Sequence, residues 1–396
     1  MLLCRVTKTK DAMQVNEFDD IRPYNDAELP EKMGLLLKDP VFNEVMGYIF
    51  RQPELKSNKL QHLKKMKSIE QLQTTFVRHL VEIILHNTTK GLTCSGLENL
   101  DKAKSYLFIS NHRDIILDSA FLNYLILSNG MNTTQIAIGD NLLIYEWIKH
   151  AVKLNRAFVV KRNIAARELL EASRKLSTYI RGSITENNTS VWIAQREGRT
   201  KDGDDQTQLA LLKMLNMSNA KSLAEGFGEL TIIPLSISYE IEPCGLCKVE
   251  ELVKRESEEG YSKTTADDLK SMASGLFSQK GRVHFSFGKP ILTSFLEQNN
   301  HLQPNEFIQE LAIRIDHRIH QYFKLWPYNY VAYDMMFGTG EFIDNYTSQD
   351  MAAFSEMVEE AKKMVPGNPE EAAKKFIRMY ARPVENSLIA MEIFRS

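Results

Sequence analysis

Between about residues 90 and 295, short apolar runs alternate with longer stretches in which apolar positions recur every three or four residues. The short runs are Ser105–Ser110, Gln135–Gly139, Ala157–Val160, Val191–Gln195, Thr231–Ser238 and Val283–Phe287, and each reads as a strand. Between two of them, Leu169, Ala172, Leu176 and Ile180 fall on one face at helical spacing. Such alternation predicts an α/β fold, a largely parallel or mixed sheet flanked by helices. The flanks differ. Leu60 to Leu85 is rich in helix formers and holds neither Gly nor Pro. After about residue 300 the helical period returns: Pro304 suits a first helical position, and Phe307, Leu311, Ile315 and Phe323 share a face. Asn368-Pro369 reads as a cap followed by a helix start. The expected organisation is an N-terminal helical region over 1–88, an α/β domain over 89–298 and a C-terminal helical region over 299–396.

Composition narrows the function. Of 396 residues, 43% are hydrophobic, enough for a sizeable core and against a disordered chain. Lysine and arginine number 49 against 51 acidic residues, and this near balance argues against a nucleic-acid binder. No apolar run approaches the length of a spanning helix, and the first residues do not make a signal peptide, so a cytoplasmic location is expected. From Arg51 to Lys67 basic residues dominate, which suits either a solvated helix face or contact with anionic lipid. Four cysteines are too few for a disulfide scaffold, and Cys244-x-x-Cys247 reads as a plain loop more readily than as a zinc or redox motif. His317, His320 and Asp316 lie close in sequence, but an exposed helix face is the default and no metal is expected.

Four segments carry candidate chemistry. After the first strand comes Asn111-His112-Arg113-Asp114-Ile115-Ile116-Leu117-Asp118. The carboxyl end of a buried strand is where such sheets bind ligands. A histidine with a carboxylate about one helical turn downstream can form a general base with its orienting partner, and a structural histidine fits equally. Asp118 and Asp114 are both candidate carboxylates. There is no Gly-x-Ser-x-Gly elbow to supply a nucleophilic serine. The second segment brackets the strand Ala157–Val160 with Arg156, Lys161 and Arg162, which suit phosphate binding or strand ends reaching water. The third, Gln195-Arg196-Glu197-Gly198-Arg199-Thr200, combines a glycine that permits close backbone approach with a guanidinium fork, or is an exposed turn. The fourth, Ile233-Pro234-Leu235-Ser236-Ile237-Ser238-Tyr239-Glu240, places proline inside an apolar strand, which predicts an edge strand or a bulge.

In this order and spacing the four segments resemble the blocks of the glycerolipid acyltransferase superfamily. The first block resembles Asn111-His112 with Asp118, the second Ala157-Phe158-Val159-Val160-Lys161-Arg162, the third Glu197-Gly198-Arg199-Thr200 and the fourth Ile233-Pro234-Leu235-Ser236-Ile237-Ser238-Tyr239. The His112-Arg113 pair and the Ser236-Ile237-Ser238-Tyr239-Glu240 ending look nearer the glycerol-3-phosphate acyltransferase branch than the lysophosphatidate branch. Departures are five residues rather than four between the histidine and the aspartate, Gln195-Arg196 where Phe-Pro is common, and Asn155-Arg156 in place of a glycine.

The resemblance implies transfer of a fatty acyl group from an acyl thioester to a hydroxyl of a glycerol-phosphate or lysophospholipid acceptor in phospholipid biosynthesis. His112 is then the base and Asp118 its partner, while Arg156, Lys161, Arg162, Glu197, Gly198 and Arg199 serve the acceptor's phosphate. Acyl-carrier protein or coenzyme A would carry the acyl group as co-substrate, with no tightly bound cofactor. A lipid product implies peripheral attachment to a membrane surface, with Arg51–Lys67 and the flanking helices as contact candidates. The alternatives are a non-catalytic phosphate- or lipid-binding protein on the same scaffold and an acyl-thioester hydrolase.

Overall fold

A computed structural model describes residues 17–50, 52–162, 164–257, 259 and 261–395. Its centre is one seven-stranded mixed sheet. The strands are β1 (Leu92–Ser95), β2 (Leu107–Ser110), β3 (Gln135–Gly139), β4 (Ala157–Val160), β5 (Val191–Ala194), β6 (Ile232–Tyr239) and β7 (Val283–Phe287). Their spatial order is β1-β7-β6-β2-β5-β3-β4. From β6 to β4 the pairing is parallel throughout; β7 runs antiparallel to β6, and β1 is parallel to β7.

The central strands are apolar on both sides because both sheet faces are covered by helices. On β2, Phe108 points into a core built with Phe121, Leu122 and Leu125 of helix Leu117–Ser128 and with Val81 and Ile84 of helix Arg78–Thr88. Its neighbours Leu107 and Ile109 point the other way, onto Leu176 and Ile180 of helix Ala166–Thr185 and Leu311 and Ile315 of helix Pro304–Tyr322. The helix Pro304–Tyr322 is thus part of the layer on the sheet. Beyond it, helices Pro327–Phe337, Ser348–Met364 and Pro369–Arg395 form a separate core with Val249 and Val253 of helix Gly245–Ser257.

At the N-terminal side, helices Leu29–Leu36, Pro40–Ile49 and Pro53–Leu63 gather around Phe42, Met46, Phe50 and Leu63, and this core reaches Leu154 of helix Glu146–Leu154. Residues after Ile69 continue as one helical rod to Thr88, with a π-helical stretch at Leu72–Val77. The Val159 N–H of edge strand β4 donates to the Ile21 carbonyl at 2.9 Å, so the N-terminal segment covers part of that edge. Of the basic run, Lys64, Lys65 and Lys67 are exposed, and Arg51 lies outside the described residues.

The structure differs from the sequence expectation at several points. Pro234 does not mark an edge or a bulge: β6 lies between β7 and β2, buried along its whole length. The Pro234 carbonyl accepts from Gly288 N at 2.9 Å on the β7 side, just beyond the antiparallel ladder that starts at Leu235. The missing N–H points the same way, so no bond to β2 is lost. Strand β1 escaped notice because Leu-Thr-Cys-Ser is short and half exposed. In helix Ala166–Thr185 only the later part of the apolar stripe is core: Leu176 and Ile180 are buried, whereas Leu169 is 44% exposed.

The C-terminal histidines are each engaged separately. His317 Nε2 lies 2.8 Å from the Ala390 carbonyl, and His320 Nε2 lies 2.6 Å from the Asp205 carbonyl. Asp316 accepts from the Thr207 N–H at 2.8 Å and from its hydroxyl at 2.5 Å. Among the described residues no group of three or more His, Cys, Asp or Glu is gathered to hold a metal ion.

Burial pushes the Asp316 carboxyl up to about 7, with the charges of Asp205 and Asp204 adding to the rise and the Thr207 hydrogen bonds opposing it. The folded protein therefore holds a proton there that the unfolded chain, near its ordinary 3.8, has released. This contribution to stability is present in full below about pH 4 and is lost as the pH rises through about 7. Asp316→Asn keeps an acceptor for Thr207 and removes the titration. Denaturant midpoints taken across that window should fall less steeply with pH in the variant than in the parent.

Candidate active site

The carboxyl ends of β2, β3 and β5 open onto a cleft of about 630 Å³. His112, Arg162, Arg196, Glu197, Gly198 and Arg199 all line it. So do apolar side chains, among them Ile116, Ile136, Ile138, Leu142, Ile148 and Trp192.

His112 sits in the turn between β2 and helix Leu117–Ser128, and Asp118 occupies that helix's first turn. His112 Nδ1 lies 2.8 Å from Asp118 Oδ2. The same oxygen accepts the N–H of Arg113 at 2.6 Å and of Asp114 at 3.0 Å. The other carboxylate oxygen accepts the Tyr239 hydroxyl from the end of β6 at 2.8 Å. Asp118 is fully buried. Burial opposes its ionisation, but the His112 hydrogen bond and charge, with the two N–H groups, outweigh it and hold the carboxyl below its ordinary value. Burial, with the charges of Asp118 and Asp114, pushes the Tyr239 phenol well up, so it stays a donor. An ionised partner at Nδ1 keeps the proton on that nitrogen and leaves Nε2 as the basic one. The indole of Trp192 meets the imidazole edge-on at 5.6 Å and 73°, and its own N–H is tied to Ser110 Oγ at 2.9 Å.

Asp114 has a different place. Its Oδ1 accepts the N–H groups of Ile116 at 2.9 Å and Leu117 at 2.7 Å, closing the turn into the helix. Burial and the neighbouring Asp118 charge raise its carboxyl. Cys244 lies behind it, with Sγ 3.9 Å from Asp114 Oδ2 and donating to the Ser271 carbonyl at 2.9 Å. Burial pushes that thiol up to about 12, and Cys244 and Cys247 are both free.

The turn is anchored by its two other polar residues. Asn111 bridges to β6, accepting from Ile237 N at 2.8 Å and donating to the Ile237 carbonyl at 2.9 Å. Arg113 is buried away from the cleft lining and paired with Asp205, with Glu242 at 3.7 Å. Glu242 in turn pairs with Lys248, whose ammonium donates to the Arg113 carbonyl at 2.8 Å. The Thr200 N–H donates to the His112 carbonyl at 2.9 Å, which brings the third segment against the first.

The basic residues separate. Arg199 is only 6% exposed, and its Nη1 is buried with no hydrogen-bond partner among the described residues. Arg162 reaches Glu197 at 3.4 Å on the cleft rim. Gly198 adopts φ 73°, the left-handed region that favours glycine, in the turn that presents Arg199. Lys161 turns to Asp20, which Lys175 also holds at 2.7 Å, and lines a second cleft on the neighbouring side. Arg156 does not reach the cleft. It lies at the amino end of β4, where its guanidinium donates to the Thr133 carbonyl at 2.8 Å. A strand carries residues at its two ends to opposite edges of the sheet, so adjacency in sequence did not bring Arg156 to Arg162.

Sequence reasoning missed Tyr239, Arg196 and Trp192 as site residues. In the sequence the tyrosine stands only as part of the fourth apolar segment. Its position at the carboxyl end of β6, beside β2, was the available signal.

Residues 91–238 match the family model described as Acyltransferase. The match runs from β1 nearly to the end of β6. Among solved structures the chain is similar to the 1-acyl-sn-glycerophosphate (LPA) acyltransferase PlsC from Thermotoga maritima, at 12% identity and a TM-score of 0.35, covering 73% of this chain and 93% of that one. No curated protein matches significantly.

Asp118→Asn is an informative substitution. An amide oxygen facing His112, Arg113 and Asp114 keeps those three donors satisfied, and the amide N–H₂ can donate to Tyr239. The negative charge that stabilises the imidazolium is lost. Acyl transfer should fall by about 10²–10⁴-fold while the melting temperature changes little, measured by single-turnover assay and calorimetry.

Proposed function

We propose that the protein moves a fatty acyl group from an acyl thioester, carried by acyl-carrier protein or coenzyme A, to a hydroxyl of a glycerol-phosphate or lysophospholipid acceptor. The observation that carries this reading is the pairing of His112 with a buried, ionised Asp118 in the same cleft as a buried Arg199 whose Nη1 has no partner among the described residues. A buried guanidinium with an unsatisfied nitrogen suits a phosphate, which accepts charge-assisted hydrogen bonds. Water needs no such anchor, which favours an alcohol acceptor over hydrolysis.

In this reading His112 Nε2 removes the proton of the acceptor hydroxyl as its oxygen attacks the thioester carbonyl. The imidazolium so formed is stabilised by Asp118. Collapse of the tetrahedral intermediate breaks the carbon–sulfur bond, and the proton on Nε2 passes to the departing thiolate. Arg199, with Arg162 and Arg196 on the same lining, holds the phosphate, and Glu197 and Gly198 shape the turn that carries it. The apolar wall from Ile116 through Ile136 and Ile138 to Ile148 accommodates the hydrocarbon chain. Phospholipid biosynthesis is the corresponding process, and the protein would work at a membrane surface from the cytoplasm. Among the described residues no helix is long and apolar enough to cross a membrane.

The test is transfer from labelled acyl thioesters of both carriers to glycerol 3-phosphate, lysophosphatidate and a neutral lysolipid. Transfer to a phosphate-bearing acceptor should fall by about 10²–10⁴-fold in His112→Ala. Release of free fatty acid at the same rate with and without every acceptor would instead establish a hydrolase. Arg199→Gln should raise the KM for the phosphate acceptor by about 10-fold or more and leave the thioester KM nearly unchanged. Equal loss for the neutral lysolipid would remove Arg199 from the phosphate role.

A further inference from the structure

Three segments leave the carboxyl edge of the sheet beside the cleft, and each exposes large apolar side chains. After β3 the loop runs Asp140-Asn141-Leu142-Leu143-Ile144-Tyr145, with Ile144 50% and Tyr145 42% exposed. After β4 the first turn of helix Ala166–Thr185 exposes Leu169 and, at 63%, Leu170. After β5 the chain returns to the strand end, where Gln208 N donates to the Gln195 carbonyl at 2.9 Å, and helix Leu209–Asn216 opens with an exposed Leu209.

These segments are joined at one rim. The Asp140 carboxylate accepts the Arg162 N–H at 3.2 Å, tying the first to the second. Glu197 N donates to Gln208 Oε1 at 2.8 Å, and Glu197 reaches Arg162, tying the third to the second. The apolar surface also continues inward. Leu142 lines the cleft that holds His112, and Leu169 lines the second cleft on the other side of Arg162 and Arg196.

From this we infer that the rim formed by Ile144, Tyr145, Leu170 and Leu209 is a membrane-docking surface. It sets the cleft mouth on the bilayer, so that a lipid chain passes along apolar lining from the membrane to His112. The choice of occupant rests on the acyltransferase reading, because a lipid acceptor or product must cross between bilayer and cleft. The charges support insertion over electrostatic adsorption. Over residues 140–149, 161–171 and 196–197, five lysines and arginines are matched by five aspartates and glutamates. A rim without net charge is held by its apolar side chains, with Tyr145 suited to the headgroup level.

The test uses the full chain and vesicles of phosphatidylcholine alone or mixed with phosphatidylglycerol. The parent should co-sediment with both, and binding should persist at about 0.5 M salt, where charge attraction is screened within a few ångströms. The triple variant Ile144→Ser/Leu170→Ser/Leu209→Ser alters only exposed side chains outside the two cleft linings. Its vesicle partition should fall by at least about 10-fold. Its transfer to a water-soluble acceptor should be unchanged. A second variant, Met336→Ser/Phe337→Ser/Ile343→Ser, removes three exposed apolar side chains of the C-terminal region and should bind as the parent does. Undiminished binding by the rim variant, loss confined to the second variant, or binding abolished by salt alone would overturn the inference. So would a parent that transfers acyl groups in solution yet binds neither vesicle, and the acyltransferase reading would then stand without it. Vesicle binding by the rim from a protein without transfer activity would separate the two the other way.

Discussion

One buried carboxylate organises the site. Asp118 collects the imidazole of His112, two consecutive backbone N–H groups and the hydroxyl of Tyr239 on its two oxygens. A buried ionised carboxylate is tolerated only when such donors replace its lost water. Here the donors come from the turn after β2 and from the end of β6, while Asp118 itself stands in the first turn of helix Leu117–Ser128. The requirement to satisfy Asp118 therefore also sets how that turn is folded and which nitrogen of His112 faces the cleft. A substitution that merely removed the charge and one that removed a donor would disturb different parts of this arrangement, because the charge acts on the imidazolium and the donors act on the turn.

Around that carboxylate lies a layer of polar residues that do not touch the cleft. Asn111 carries the pairing of β2 with β6 one residue beyond the last strand bond, through both atoms of its amide. Each unmade bond at such a site costs about 1–3 kcal/mol. Arg113, beside His112 in sequence, points the opposite way into ion pairs with Asp205 and Glu242. Its guanidinium lies over the ring of Phe323 at 5.3 Å, and the Tyr380 hydroxyl accepts the Glu242 N–H at 2.8 Å. Through these bonds the C-terminal helices support the turn from behind. This connects a region without readable chemistry of its own to the rigidity of the site.

The chain's local patterns carried much of the fold. Six of the seven strands were legible as apolar runs, since helices cover both sheet faces and few polar positions interrupt them. The helix starts at Pro304 and Pro369 were legible from proline at the first helical position. β1 was not, because a short edge strand with alternate exposure carries little signal. Pro234 misled because proline forbids one hydrogen bond, and only the sheet order shows on which side that bond is not needed.

For the site, the sequence by itself determined which residue types stand at the carboxyl ends of the strands: His112 and Asp118 after β2, Arg162 after β4, Arg199 after β5. That much follows from strand direction, because in a parallel sheet these ends share one edge. Tertiary structure decided the rest. It chose Asp118 over Asp114 as the partner of His112, because a five-residue spacing fits His112 to the helix's first turn while Asp114 closes the turn itself. It sent Arg156 to the far edge and Lys161 to Asp20, and it left the Arg199 guanidinium buried with one nitrogen unsatisfied. It also brought Tyr239 from 121 positions away. The physical reason is that periodicity and strand direction act within a segment, whereas the pairing of a charge depends on which donors the packed elements bring within about 3 Å of it.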